Sequence, residues 1–187
     1  DCMIGNPGVI FAADAVLKGI DGGLAEELYD AMKTSVMLDS RWQDLRKKYG
    51  YIPFDLHPTQ SVAYDCEYAI ADAAVAEVAA MLGKDDEYAY FADRGRWWRH
   101  HYDAETGFMR GKDSNGNWRQ PFNPYAILHM ADDYCEGTAW QYSWLAPHDI
   151  DGLIEVMGGR DKVIAKLDRL FSEPSRIDGE TVDMTGL

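Results

Sequence analysis

The sequence predicts an all-α chain, and three observations carry that prediction. Apolar residues recur at three- and four-residue intervals along most of its length. Glycines and prolines divide these runs into about six or seven segments of helical length. Two-residue alternation, the mark of strands, is missing except in a short excursion around Asn115-Gly116.

Residues 7–19 place Val9, Ile10, Ala13, Val16 and Leu17 on one face, with Pro7 at the start and Gly19 at the end. After Gly22-Gly23, residues 24–38 repeat the pattern through Leu28, Ala31, Met32, Ser35 and Val36, with Glu26 and Glu27 in the first turn, where the helix dipole favours negative charge. Residues 39–50 are charged, and Trp42, Leu45 and Tyr49 are expected to line one side of a helical stretch. Pro53 and Pro58 make the next stretch a loop. Residues 61–82 form the longest helix, with a stripe of mostly small residues (Val62, Cys66, Ala69, Ile70, Ala73, Ala76, Ala80) that implies an inner position. Glu67 and Asp72 border that stripe and need partners.

Asp85 is expected to cap a helix reaching about Tyr102, with Tyr88, Phe91, Ala92, Gly95 and Trp98 on one side. Adjacent His100 and His101 point apart on a helix, so they read as surface or hydrogen-bonded histidines rather than a shared metal site. In residues 103–124, Phe108–Arg110 and Asn117–Arg119 are expected to form the two strands of the excursion. Asp149 is placed to cap a helix carrying Ile150, Leu153, Ile154 and Met157, stopped by Gly158-Gly159. A last helix over residues 161–171 is expected to face Val163, Ile164, Leu167, Leu170 and Phe171 inward. The tail from Ser175 is polar and without periodicity.

With 187 residues, 47% hydrophobic and 12% aromatic content, the chain suffices for one domain with one core. A net charge of -14 and a pI near 4.6 give nucleic-acid binding no electrostatic support. No apolar run reaches the roughly 20 residues a membrane span needs. Cys2, Cys66 and Cys135 have no metal-type spacing and suggest no disulfide framework. Asp103, Glu105, Asp113 and Asn115 do not match the calcium-loop spacing, so no metal ligand is assigned. The chain opens on Asp rather than Met and is expected to be an excised piece of a longer protein.

The stretch richest in chemistry is Asp132-Asp133-Tyr134-Cys135-Glu136-Gly137-Thr138-Ala139-Trp140-Gln141-Tyr142, leading to Pro147-His148-Asp149. It combines carboxylates, an amide and aromatic rings, the ingredients of a sugar-gripping site. Were Tyr134, Trp140 and Tyr142 to fold around Glu136, loss of hydration would raise its pKa, as a general acid requires. The plainer alternative makes Glu136 a helix-start or ion-pair residue and the rings core. Glu67 is a candidate for orienting a substrate or a loop, with a structural carboxylate near the rim as the plainer and favoured reading. Arg110, Trp118 and Arg119 can reach a pocket or hold a polar loop.

The Glu136–Tyr142 run with Pro147-His148-Asp149 resembles the motif of glycoside hydrolase family 92, the calcium-dependent α-mannosidases, which read Glu-Gly-Asn-Ala-Trp-Gln-Tyr and then Pro-His-Asp. Further matches are Cys2-Met3-Ile4-Gly5, Ala13-Asp14-Ala15, Leu17-Lys18-Gly19-Ile20, Gly50-Tyr51-Ile52-Pro53, Glu67-Tyr68-Ala69, Thr106-Gly107-Phe108-Met109-Arg110-Gly111 and Pro121-Phe122-Asn123-Pro124. Thr138 replaces the usual Asn, and Asn6-Pro7 stands where many members carry Tyr-His.

The resemblance implies that residues 1–187 are a single partial domain, the central segment of an (α/α)6 barrel with about half of its helical hairpins. It implies an inverting, exo-acting α-mannosidase working on N-glycans, secreted, periplasmic or at the cell surface, with calcium as cofactor and most of its ligands outside this chain. Glu136 matches the family's general acid. Trp140, Gln141 and His148 match motif positions near the site, and Glu67 and Arg110 are the other expected substrate contacts. The family's general base and its His-Gly-Asn-Glu-Pro stretch come later than Thr185-Gly186-Leu187, so this chain alone is expected to be inactive. An open half barrel is expected to need the rest of its parent chain or self-association. Two alternatives stand beside this reading: a non-catalytic carbohydrate-binding or scaffold module, and another inverting glycosidase on the same barrel.

Overall fold

In a computed structural model, residues 3–128 and 130–179 are described, and all statements concern these. The order is α1 (Pro7–Leu17), α2 (Ala25–Met37), α3 (Gln43–Tyr49), α4 (Ser61–Met81), α5 (Asp85–Arg94), a 3-10 helix (Trp97–His101), β1 (Tyr102–Asp103), β2 (Phe108–Met109), α6 (Ala139–Tyr142), α7 (Ile150–Val156) and α8 (Arg160–Ser172). The chain is therefore all-α with one small hairpin. Cys2 and the tail from residue 180 lie outside the described residues.

The architecture turns on α4, whose Ala-rich sequence lets it be enclosed on most of its circumference. It packs against α1, α2, α5 and the 3-10 helix. Its N-terminal half (Val62, Ala63, Cys66, Ala69) joins Trp98, Phe108, Met109, Tyr134, Trp140 and Tyr142 in one core. Its C-terminal half (Val75, Ala76, Val78, Ala79) joins Val9, Val16, Tyr29, Met32 and Phe91 in another. Gly95 is what lets α5 approach: a Cβ there would meet the Cβ of Ala73 at 3.1 Å.

Several expectations are corrected. In α2, Tyr29 is buried beside Met32 and Val36, while Leu28 packs half-buried against the same core and Ala31 is exposed. In α3 the buried face is Gln43 and Arg46, not Trp42, Leu45 and Tyr49. Arg46 is fully buried because it pairs with Asp65 at 3.0 Å and Asp72 at 2.6 Å. Arg94 also reaches Asp72, at 3.1 Å, so two guanidiniums share the carboxylates of α4. The helix expected over 85–102 stops at Arg94 and resumes as the 3-10 turn, and Lys84 rather than Asp85 is its N-cap. The strand pairing is Tyr102 with Met109 and Asp103 with Phe108. The Asn115-Gly116 turn closes a single bridge, Lys112 to Trp118. Finally, α8 buries no residue: Phe171 is 85% exposed. With Phe11 at 79% on α1, it leaves apolar surface of the kind an open barrel presents.

His101, one of the two histidines read as surface or hydrogen-bonded, is fully buried. Its Nε2 donates to Asp65 at 2.7 Å, and its Nδ1 lies 2.9 Å from the carbonyl of Arg110. His100 stays exposed against the Gly50 carbonyl.

Candidate active site

The motif stretch is assembled on the N-terminal end of α4. Gln60 N–H donates to the Asp132 carbonyl and Ala63 N–H to that of Asp133, so backbone groups that a helix start leaves open find partners there. The Asp133 carboxylate accepts from Ser61 Oγ at 2.8 Å, Gly111 N–H at 2.9 Å and Arg119 Nε at 2.9 Å. That single side chain ties the motif to α4 and to the excursion.

Beyond it the chain turns at Glu136, whose φ of +51° lies in the left-handed region, a conformation that costs a non-glycine residue about 1 kcal/mol or more. Both flanks are fixed. Tyr142 Oη donates to the Cys135 carbonyl at 2.8 Å and accepts from Cys135 N–H at 3.2 Å. Gln141 Oε1 accepts from Thr138 N–H at 2.7 Å, the backward half of a capping box. Thr138, the departure from Asn, is an accepted N-cap residue in its own right.

The expected enclosure of Glu136 is not what this turn produces. Tyr134, Trp140 and Tyr142 are buried, but Glu136 is exposed. The three rings belong to the core, and the turn between Cys135 and Gly137 leaves the Glu136 side chain outside it. Tyr134 Oη is spent on the Met109 carbonyl at 2.6 Å. Burial pushes its hydroxyl and that of Tyr142 well above the usual tyrosine range.

The other candidates are dispersed. Glu67, half-buried on α4, faces Gly5, where an added Cβ would come within 2.8 Å of its own Cβ. Burial raises its carboxyl above the usual range, and its charge is felt at Tyr142. Glu67 and the Glu136 turn therefore share one end of α4. Arg110 is buried, bound to Asp103 and the Arg119 carbonyl, both at 2.7 Å, with its guanidinium 4.4 Å from the Phe122 centroid. Trp140 sits edge-on to Phe108 at 5.0 Å, under Arg169 of α8. Gln141 is exposed and occupied as a cap. His148 bonds the Gly95 carbonyl at 2.7 Å, beside the C-terminal half of α4, and burial lowers its pKa. The structure thus ties Tyr142 to the residue before Glu136, sets Glu67 within electrostatic reach of the same ring, and leaves Trp140 and His148 in packing positions.

One carboxylate of that stretch was given no role by the sequence. Asp132 lines a cavity of about 240 Å³ with Arg110, Arg119, Gln120, Phe122 and Leu128. Burial pushes its carboxyl up to about 6, Asp133 adds to the effect and Arg119 opposes it.

No helix among the described residues is long and apolar enough to cross a membrane. No group of three or more His, Cys, Asp or Glu residues among them is arranged to hold a metal ion.

Residues 1–186 match the family described as the glycosyl hydrolase family 92 catalytic domain. Among solved structures, the chain is similar to a family 92 α-mannosidase of Bacteroides thetaiotaomicron in complex with mannoimidazole: 37% identity, TM-score 0.88, covering 95% of this chain and 24% of that one. It is also similar to an inverting family 92 mannosidase of the same organism, with 33% identity and TM-score 0.80 over 97% of this chain and 25% of that one. An uncharacterized secreted glycosidase of Arthroderma benhamiae is 29% identical over 151 residues, 66% of this chain and 19% of the relative. The chain thus spans about a quarter of the mannosidase structures and about a fifth of the fungal relative.

Proposed function

Because this chain belongs to glycosyl hydrolase family 92, we propose that it supplies the general acid and part of the sugar-binding wall of an inverting, exo-acting α-mannosidase. The observation that carries the proposal is Glu136 itself: a carboxyl at a left-handed turn, fixed on one side by Tyr142 and on the other by Gln141.

In this reaction the Glu136 carboxyl gives its proton to the glycosidic oxygen as the C1–O bond breaks. A water attacks C1 from the opposite face and loses its proton to a carboxylate about 6.5–9.5 Å away. No residue of this chain is assigned that second role, and the isolated chain is expected to be inactive. Glu67, half-buried on α4, is the residue to which this reading gives a substrate hydroxyl to accept from. Exposure of Glu136 in this chain fits a rim that the rest of a barrel closes over; the exposed faces of α1 and α8 fit the same arrangement. Calcium, in this reading, is held mostly by residues outside this chain. The described residues do not by themselves make a site for it, and no step here runs through it. A secreted, periplasmic or cell-surface location is in keeping with the fungal relative's description.

The test is a panel of aryl α-mannoside, β-mannoside and α-glucoside offered to the longer polypeptide carrying this chain. The expected result is α-mannoside cleavage with β-mannose as the first product, and a fall of about 10²–10⁴ in kcat for Glu136→Gln. Preference for the glucoside would assign another glycosidase instead. The exposure of Glu136 favours one further reading, a carbohydrate-binding module, which binds mannose without turnover in every form of the protein.

A further inference from the structure

The chain carries 32 acidic residues against 18 lysines and arginines, yet one cavity reverses that balance. It opens between α8, the β1–β2 hairpin and Trp140, holds about 300 Å³, and is lined by Lys162, Lys166 and Arg169 with no carboxylate in its wall. Tyr102 and Phe108 supply the hairpin side.

The cations sit on aromatic rings. Lys166 Nζ lies 3.8 Å from the Phe108 centroid and 5.5 Å from that of Trp140, and the Arg169 guanidinium lies 4.9 Å from the Trp140 centroid. Two positive charges thus share one indole, and like charges this close repel. Burial and the neighbouring Arg169 hold the Lys166 amine down at about 8.

Donors outnumber acceptors in this wall. Lys166 donates to the Gly107 carbonyl, and Glu173 accepts from Arg169 Nε. An ammonium carries three donors and a guanidinium five, so both keep capacity in hand. Lys162 enters no ion pair among the described residues. The Trp140 side chain is only 6% exposed, and its indole N–H is buried without a partner, a state that is costly for a donor.

Charge balance selects the ligand. Glu173 matches Arg169, and the two lysines are left uncompensated. A carboxylate brings a single negative charge, whereas a phosphoryl group brings about -1.5 to -2 near neutral pH and three strong acceptor oxygens. We propose that this cavity is a binding site for a phosphoryl dianion, held between Lys162 and Lys166 with Arg169 beside them, and supplied as inorganic phosphate or as the phosphate monoester of a small molecule. The bound anion relieves the repulsion between Lys166 and Arg169 and ties α8, which fully buries no side chain of its own, to the hairpin. The site stands apart from the chemistry assigned to Glu136 and does not depend on which glycosidic bond is cut.

The experiment is calorimetric titration of the longer polypeptide carrying this chain, at pH 7 and low ionic strength, with inorganic phosphate, glucose 6-phosphate and sodium acetate as probes. Phosphate or the sugar phosphate is expected to bind at least about tenfold more tightly than acetate. Lys162→Ala and Lys166→Met are each expected to weaken that binding about tenfold or more, as loss of a hydrogen bond to a charged group does. Lys162 is exposed, so its variant keeps the test open should Lys166→Met fold poorly. Acetylation with peptide mapping gives a second reading: bound phosphate is expected to slow modification of Lys166 several-fold and to leave the exposed Lys18 unaffected. Lysine-dependent binding of both phosphates upholds the site for the free ion, and of glucose 6-phosphate alone for an ester. Failure of both to bind, acetate binding as tight as either, or affinity unchanged in both lysine variants overturns it; the last result would place the sugar phosphate elsewhere on the protein.

Discussion

The Tyr142 hydroxyl closes on Cys135 twice, donating to its carbonyl at 2.8 Å and accepting from its N–H at 3.2 Å. A ring of the core thereby grips the peptide unit next to Glu136. Tyr142→Phe keeps the ring and removes both bonds from this partly buried peptide unit. The expected cost is about 1–3 kcal/mol of stability by denaturant unfolding. Hydrogen exchange should show the Cys135 amide losing protection while α4 keeps its own. Unchanged exchange at Cys135 would show that the clamp is idle.

Glu136→Gly tests the turn from the other side. Glycine adopts φ of +51° without the penalty that a side chain carries. The variant should be as stable as the parent or more so, by up to about 1 kcal/mol, and should lose mannoside cleavage. A clear fall in melting temperature would contradict a strained acid turn.

Arg46→Met should be severe. It strips Asp65 and Asp72 of a shared partner in a fully buried setting, and an uncompensated buried charge typically costs about 3–5 kcal/mol. Urea unfolding reads this directly, and a loss under about 1 kcal/mol would refute it.

Asp132 gives a pH dependence of defined sign. Its carboxyl lies at about 6 in the fold against an ordinary 3.8, so the folded chain binds the proton more tightly than the unfolded one. The resulting penalty is absent below about pH 4, grows through pH 4–6 and is complete above that, at about 3 kcal/mol. The parent should therefore gain stability as the pH falls from about 6 to 4, and Asp132→Asn should lack that gain, whatever its baseline, since its amide nitrogen cannot accept the N–H of Leu128 or Tyr134. An unchanged pH slope in the variant would point to a group other than Asp132.

Much of the fold was legible in local chemistry. Pro7 and Gly19 bracket α1, Asp149 caps α7 by accepting from Gly152 N–H at 3.0 Å, and the small residues of α4 announced an inner helix. What was not legible depends on partners distant in sequence. Arg46 reads as surface until Asp65 and Asp72 come round to meet it. Phe108 finds Asp103 rather than the strand across the Asn115-Gly116 turn, because the tighter Thr106-Gly107 turn intervenes. The inward face expected of α8 is met in part: Val163 and Leu170 pack, half-buried, against the core, while Ile164 and Phe171 stand exposed. At the site, the motif pointed to Glu136, while its exposure follows from tertiary packing that no residue spacing encodes. Asp132 became visible only with the cavity.

Four residues make α6, far fewer than a helix needs to persist on its own. Its shape is borrowed from Trp140 and Tyr142 seated in the core. On warming, the turn that carries Glu136 should therefore slacken as soon as those two rings loosen, so that heat silences the acid at a temperature where α4 is still intact.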